Sequence, residues 1–209
     1  QEFMGLNFFV NENVLIPQPD TEIIVEETLK KCKELLLKNG KIKILDLCTG
    51  SGAIAVSLSN FLGDEAEVFA SDISTKALEV AKNNNEKNNT NVRFIESNLF
   101  ENIQEQKFNI IVSNPPYIRS NVINNLPKQV QNEPHLALDG GEDGLKFYKK
   151  IIEQACNYIE NGYLILEIGY DQKEDVENLL KENKNYSEIK TIQDFSGNDR
   201  CVIAKVGKI

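Results

Sequence analysis

Ile42-Lys43-Ile44-Leu45-Asp46-Leu47-Cys48-Thr49-Gly50-Ser51-Gly52-Ala53 decides how this chain folds. Ile42 to Leu47 reads as a short apolar strand. A glycine-containing turn follows, and Gly52 to Phe61, rich in small and aliphatic residues, reads as a helix. Further strand and helix segments alternate after this unit. Ala66 to Ile73 is a strand, Ser74 to about Asn88 a helix, and Val92 to Glu96 and Phe108 to Ser113 are strands. Asp143 to Tyr158 predicts a long helix, Gly162 to Ile168 a strand, and Gln172 to Glu182 a helix. Tyr186 to Phe195 and Cys201 to Val206 close the chain as two strands around Gly197-Asn198. Repeated strand–helix units imply an α/β fold: a seven-stranded, mainly parallel sheet with helices on both faces. With no helix between them, the last two strands read as an antiparallel pair at one edge.

Before the first unit, Phe8-Phe9-Val10 and Val14-Leu15-Ile16 flank Asn11-Glu12-Asn13 and predict an N-terminal β-hairpin. Pro17-Gln18-Pro19 breaks it, and Asp20 is placed to cap a helix over about 21–38. The run Asn83 to Asn89 reads as a solvated helix end.

The chain has 209 residues and a formal net charge of −9. Its arginines are Arg93, Arg119 and Arg200 alone. Sequence-independent nucleic-acid binding rests on neutralising many phosphates, so stable nucleic-acid binding is not expected. No apolar run approaches the roughly 18 residues of a membrane span. Cys32, Cys48, Cys156 and Cys201 show no paired spacing, and His135 is the single histidine. That leaves no Cys/His cluster for a metal. Unpaired cysteines fit a reducing, cytoplasmic setting. His135 itself reads as a surface-loop residue.

Two segments carry chemistry. In an open parallel sheet, ligands bind beyond the carboxyl ends of the strands. There Gly50 and Gly52 let backbone approach a ligand, and the helix after them aims free N–H groups at it. Gly50-x-Gly52-x-x-Ala55 fits a nucleotide-binding turn, and Asp72, about 20 residues on, is an acid placed for ribose hydroxyls. Loop and acid together indicate a nucleoside-containing cofactor. A nicotinamide dinucleotide and S-adenosylmethionine both remain open on these residues alone.

The second segment is Asn114-Pro115-Pro116-Tyr117 at the end of a strand. Two prolines stiffen the loop and remove its N–H donors. The Asn114 side-chain oxygen and the Pro115 carbonyl can then accept from one planar NH2 group, with Tyr117 offering a flat face. Such a nitrogen is a weak nucleophile. Two fixed acceptors orient it and offset charge developing on attack. An activated methyl electrophile would complete the reaction without a prior general base.

With both segments in place, the chain resembles the class I, Rossmann-like methyltransferases that modify a glutamine side-chain amide in bacterial peptide chain release factors. The resemblance runs from Phe9-Val10 through Val14 to Glu22, Ile44 to Ala55 and Ser113 to Ile118. It continues over Glu133-Pro134, Ala137 to Leu145, Leu166 to Gly169 and Asp199-Arg200. It implies S-adenosylmethionine as methyl donor, S-adenosylhomocysteine as product and a release factor as protein partner, with the enzyme acting as a monomer. It further implies that Cys48, Thr49, Gly50, Ser51, Gly52, Asp72, Asn98, Leu99 and Asn114 surround the cofactor. Asn114, Pro115, Pro116 and Tyr117 would form the substrate-amide site.

The chain departs from the family's usual glycine at Cys48, arginine at Gln18, aspartate at Asn98 and, in some members, tryptophan at Leu99. The resemblance also implies that residues 1–39 link to an N-terminal helical domain absent here, and that 40–209 form the catalytic domain. The Asn-Pro-Pro-Tyr tetrapeptide is shared with adenine-N6 and some other nucleic-acid methyltransferases. A ribosomal-protein glutamine is a further alternative substrate, a dehydrogenase a rival enzyme, and an inactive cofactor-binding module a non-enzymatic one.

Overall fold

The computed structural model describes residues 1–207 apart from Glu105 and Asn132. Its frame is a seven-stranded sheet. The strands are β3 (Ile42–Leu47), β4 (Ala66–Asp72), β5 (Val92–Glu96), β6 (Phe108–Ser113), β7 (Ile159–Glu167), β8 (Tyr186–Gln193) and β9 (Asp199–Val206). They lie in the order β5-β4-β3-β6-β7-β9-β8. The pairs among β3 to β7 are parallel, and β9 is antiparallel to both β7 and β8. The expected antiparallel pair therefore sits at one edge, with β8 outermost.

Helices α1 (Glu22–Asn39), α2 (Ala53–Leu62), α3 (Thr75–Lys87), α6 (Lys146–Ala155) and α7 (Lys173–Glu182) connect and cover the sheet. Two single-turn helices, α4 (Lys128–Gln131) and α5 (His135–Leu138), lie in the loop after β6. Side chains alternate across a strand, and β3 divides accordingly. Ile42 and Ile44 join the core containing α1 and α2, while Leu45 and Leu47 join the core containing α6 and α7. Both faces of the central strand are thus buried, as a doubly covered parallel sheet requires.

The hairpin occurs earlier than expected. Its strands are β1 (Glu2–Phe3) and β2 (Leu6–Asn7), while 8–16 form no strand. Met4 and Gly5 have φ of 51° and 74°, and two positive angles are what a two-residue turn of matching twist demands. Asp20 does not cap α1. It lies in a short 3-10 turn, and its carboxylate pairs with Arg200 at 3.3 Å. The predicted helix from Asp143 begins at Lys146, because Asp143 Oδ1 accepts from the Leu145 N–H at 2.9 Å in a turn before it.

Candidate active site

Strand order reverses between β3 and β6, and there the carboxyl ends of β3, β4 and β6 surround a cavity of about 330 Å³. That lies within the roughly 300–1,000 Å³ typical of small-molecule sites. Cys48, Thr49, Gly50, Ser51, Asp72, Asn98, Leu99, Asn114 and Pro116 line it. Four loops, separated by up to 68 positions in the chain, thereby meet in one hollow. Gly52, Pro115 and Tyr117 are not part of the lining.

The two glycines of the loop do different work. A side chain at Gly50 (φ +55°) would meet nothing within 4 Å, so its bare face opens into free space. At Gly52 (φ +81°) an added Cβ would lie 3.0 Å from the Ala81 Cβ, so this glycine lets α2 and α3 approach. Cys48 holds φ +60° without being glycine, a conformation that costs roughly 1–2 kcal/mol for a residue with a Cβ. Burial raises the Cys48 thiol far above its usual range, which keeps it uncharged beside the cavity.

Two carboxylates fasten this loop. Asp46 Oδ2 accepts from the Thr49 hydroxyl at 2.6 Å and the Ala55 N–H at 3.2 Å. Asp72 accepts from the Gly50 N–H (2.9 Å) and the Ser74 N–H (2.9 Å), one on each oxygen. A carboxylate has about four acceptor positions, so Asp72 keeps capacity for further donors from the cavity.

A strap from Asn13 to Thr21 lies along the cavity, contributing Val14, Leu15, Pro17, Gln18 and Thr21. Asn84, in the run expected to be solvated, is fully buried and ties down the segment that leads into this strap. Its Oδ1 accepts from the Phe9 N–H at 2.7 Å, and its Nδ2 donates to the carbonyls of Phe9 and Ser51, each at 2.9 Å. One side chain thus joins the chain at Phe9 to the glycine loop at Ser51. Leaving buried backbone partners unpaired costs about 1–3 kcal/mol each. Asn84→Ala should lower unfolding free energy by about 2–4 kcal/mol in a urea melt, with the exposed Asn83→Ala as the neighbouring comparison.

The Asn114-to-Tyr117 loop is braced from behind. The Ser113 hydroxyl donates to the Leu47 carbonyl at 2.7 Å. Gln172 Nε2 donates to the Tyr117 carbonyl at 3.0 Å, while its Oε1 accepts from the Gly169 N–H at 2.9 Å. The Ile118 N–H bonds to the Leu138 carbonyl, and the Gly140 N–H to the Ile118 carbonyl. Built Cβ atoms on Gly140 and Gly144 would come within 2.7 Å of the Tyr117 Cα and 2.6 Å of its carbonyl oxygen. Gly140, Gly144 and Gln172 are thus supports of the loop. Tyr117 packs into the second core, and its hydroxyl donates to Glu167 Oε1 at 3.4 Å. His135, as expected, is exposed, and its Nδ1 lies 3.8 Å from Asp139 Oδ2.

Burial lifts the carboxyls of Asp46 and Glu167 to about 7. For Asp46, the Thr49 hydroxyl and Ala55 N–H oppose the shift and Asp72 adds to it. Carboxyls raised in the folded state favour folding when protonated, and that contribution is lost as pH rises from their unfolded values, about 4, to about 7. Thermal stability should therefore peak in mildly acidic buffer and decline toward pH 8. A scan of Tm against pH checks this, and a Tm that climbs steadily from pH 5 to 8 would contradict it.

Residues 21–141 match the family model of the methyltransferase small domain. The chain is 44% identical over 208 residues to a release factor glutamine methyltransferase of Fusobacterium nucleatum, covering 98% of this chain and 57% of that protein. It is 45% identical over 212 residues to the one of Clostridium acetobutylicum, covering 99% and 72%. The chain belongs to the release factor glutamine methyltransferase family. A methyltransferase from Pyrococcus furiosus, 22% identical, shares the fold with a TM-score of 0.70 over 98% of this chain and 90% of its own.

Within this family member, the departures noted in the sequence are structurally placed. Cys48 occupies the left-handed conformation that suits a glycine. Gln18 lines the cavity and donates to the Ile16 carbonyl at 3.0 Å. Asn98 Nδ2 donates to Glu101 Oε1 at 2.7 Å, which leaves its oxygen as the free end of the amide. Leu99 is buried at φ +51° in the wall of the cavity.

Proposed function

We propose that this chain transfers a methyl group from S-adenosylmethionine to the side-chain amide nitrogen of a glutamine in a peptide chain release factor. The observation that carries this reading is the shared cavity: Asn114 and Pro116 open into the same hollow as Cys48 to Ser51 and Asp72. A methyl donor and an amide acceptor bound there would be adjacent. Membership of the family supplies the substrate class.

The residues present fit such a cofactor. Asp72 has acceptor capacity left for ribose hydroxyls, Gly50 leaves open space for a close approach, and the Asn98 oxygen is free to accept from an adenine amino group. Leu99 supplies an apolar wall for the base. When bound, S-adenosylmethionine would supply an electrophilic methyl, with its neutral thioether as the leaving group.

The protein's part is orientation. The Asn114 oxygen, beside Pro116 in the cavity wall, would accept from the substrate amide, directing its nitrogen lone pair at the methyl. The nitrogen would become cationic on attack and lose its proton to water afterwards, so no histidine is needed. Release factors act in translation, so the protein would work in the cytoplasm as a monomer on a protein loop.

Incubating the chain with S-adenosylmethionine and a release factor, followed by peptide mass spectrometry, tests this. A gain of one methylene on a single glutamine is expected. In parallel incubations, methylation of duplex DNA or of a ribosomal protein with none of the release factor would sink the reading.

A further inference from the structure

We infer that the ion pair between Arg200 and Asp20 clamps the end of the strap that carries Thr21, which makes Arg200, Asp20 and Thr21 positioning residues for the Asn114 amide. This deepens the function proposed above and rests on it.

Three consecutive residues tie that end of the strap to different parts of the fold. The Asp20 carboxylate lies 3.3 Å from Arg200 Nη2. The Thr21 hydroxyl accepts from Asn114 Nδ2 at 3.4 Å. Glu22 Oε1 accepts from the Met4 N–H at 2.7 Å. The Thr21–Asn114 bond is longer than the usual range of about 2.7–3.2 Å. It is too weak to set where the strap lies, so it forms only where other contacts put Thr21. With its NH2 end on Thr21, the Asn114 amide has its oxygen left for the cavity it lines. Without that contact the amide can turn over and present NH2 to a substrate NH2, two donors facing each other.

Arg200 is the fixed half of the clamp, because its guanidinium is held independently of Asp20. It projects from the start of β9, beside the carboxyl end of β7, and its side chain is 11% exposed. Nε and Nη2 donate to Asp194 Oδ2 at 3.3 and 3.2 Å. Asp194 is buried, and its Oδ1 accepts from the N–H groups of Ser196 and Asn198 at 2.9 and 3.0 Å. Nη2 carries two hydrogens, so one remains for Asp20. Asp20 is the movable half, with a side chain 53% exposed, and it follows Pro17-Gln18-Pro19. Both prolines have fixed φ, so a shift of Asp20 carries Pro17 and Gln18 of the cavity wall with it.

The test changes Asp20, because losing Arg200 would leave Asp194 buried without its cation. Asp20→Ala, Asp20→Glu, Thr21→Val and the double variant Asp20→Ala/Thr21→Val are compared with the wild type. Lys205→Gln, which removes the exposed Lys205–Glu188 pair at the other end of β9, is the control. Exposed ion pairs add little stability, so urea midpoints of Asp20→Ala and Lys205→Gln should stay close to the wild type. Asp20→Ala and Thr21→Val should each lose at least about tenfold in kcat on a release factor, with S-adenosylmethionine affinity by calorimetry within about threefold. Asp20→Glu should restore kcat, and Lys205→Gln should keep it. The double variant should lose no more than either single one, since Asp20 acts through Thr21. Unchanged kcat in Asp20→Ala, losses that multiply in the double variant, or a loss of cofactor affinity as large as that of kcat overturns the clamp.

Nuclear magnetic resonance of the cofactor-free protein gives a second readout. The Thr21 N–H donates to the Gln18 carbonyl at 3.1 Å within the strap's last turn. It should exchange with solvent at least about threefold faster in Asp20→Ala than in the wild type or Lys205→Gln. Equal exchange in all three overturns the clamp. A wild type that methylates no release factor overturns the proposed function, while the Thr21 exchange still reports on the clamp.

Discussion

Asn114→Ala should abolish most methyl transfer, lowering kcat on a release factor by about 10²–10³-fold, the loss seen when one fixed polar group aimed at developing charge is removed. S-adenosylmethionine affinity should stay within about tenfold. The two effects separate because of where the side chain sits. Asn114 lines the cavity and is half-buried, and among the described residues its side chain bonds only to Thr21, at 3.4 Å. The glycine loop is held instead by Asp46, Asp72 and Asn84, none of which bonds to Asn114. Removing the amide therefore leaves the glycine loop and Asp72 in place. The loop itself keeps its shape, since Pro115 and Pro116 fix φ and the Ser113 hydroxyl and Gln172 anchor its two ends. The stability loss should be small, about 1 kcal/mol in a denaturant melt. Single-turnover methylation at saturating cofactor is the deciding measurement, and wild-type turnover in the variant would defeat the mechanism.

The frame was legible because its signal is local. Ile42 to Leu47 is an apolar run ending in a glycine turn, and the structure gives β3 those same bounds. β5 and β6 likewise match, since their apolar residues are bounded by loop residues on both sides. What could not be read is what depends on packing between distant segments. Asn84 looks like its neighbours Asn83 and Asn85 in sequence, yet only its position on α3 faces Phe9 and Ser51. The hairpin is misplaced because β1 and β2 have two residues each, too few to show alternation, whereas Phe8 to Ile16 looks strand-like but forms no strand, and the Asn84 side chain takes the backbone bonds of Phe9. Glu167 ends β7 and is 3% exposed, with the Tyr117 hydroxyl on its Oε1 and the Tyr148 hydroxyl on its backbone carbonyl, partners that lie 19 to 50 positions away in the chain.

Gly140→Ala should be among the most damaging single-methyl additions the chain can receive near its site. The added Cβ would lie 2.7 Å from the Tyr117 Cα, 2.8 Å from the Tyr117 carbonyl carbon and 2.9 Å from the Gly144 carbonyl oxygen. All three are backbone atoms, so no rotamer change relieves the contact. Gly140 is also tied in place, because its N–H bonds to the Ile118 carbonyl and its carbonyl accepts from the Lys146 N–H at the start of α6. The strain must then move either α6's leading turn or the Asn114-to-Tyr117 loop. α6 is anchored by Tyr148, Ile151 and Ile152 in the second core, whereas the loop borders an open cavity, so the loop should give way. A displacement near 1 Å of a positioning group can cost about 10²-fold in rate, and overpacking of this kind about 1–3 kcal/mol in stability. Gly40→Ala serves as the comparison. It also places a Cβ on a glycine, at φ +76°, but meets nothing within 4 Å and lies at the far end of α1. It should lose about 1 kcal/mol from its backbone angle and no activity. Equal turnover in the two variants would show that Gly140 does not hold the substrate loop.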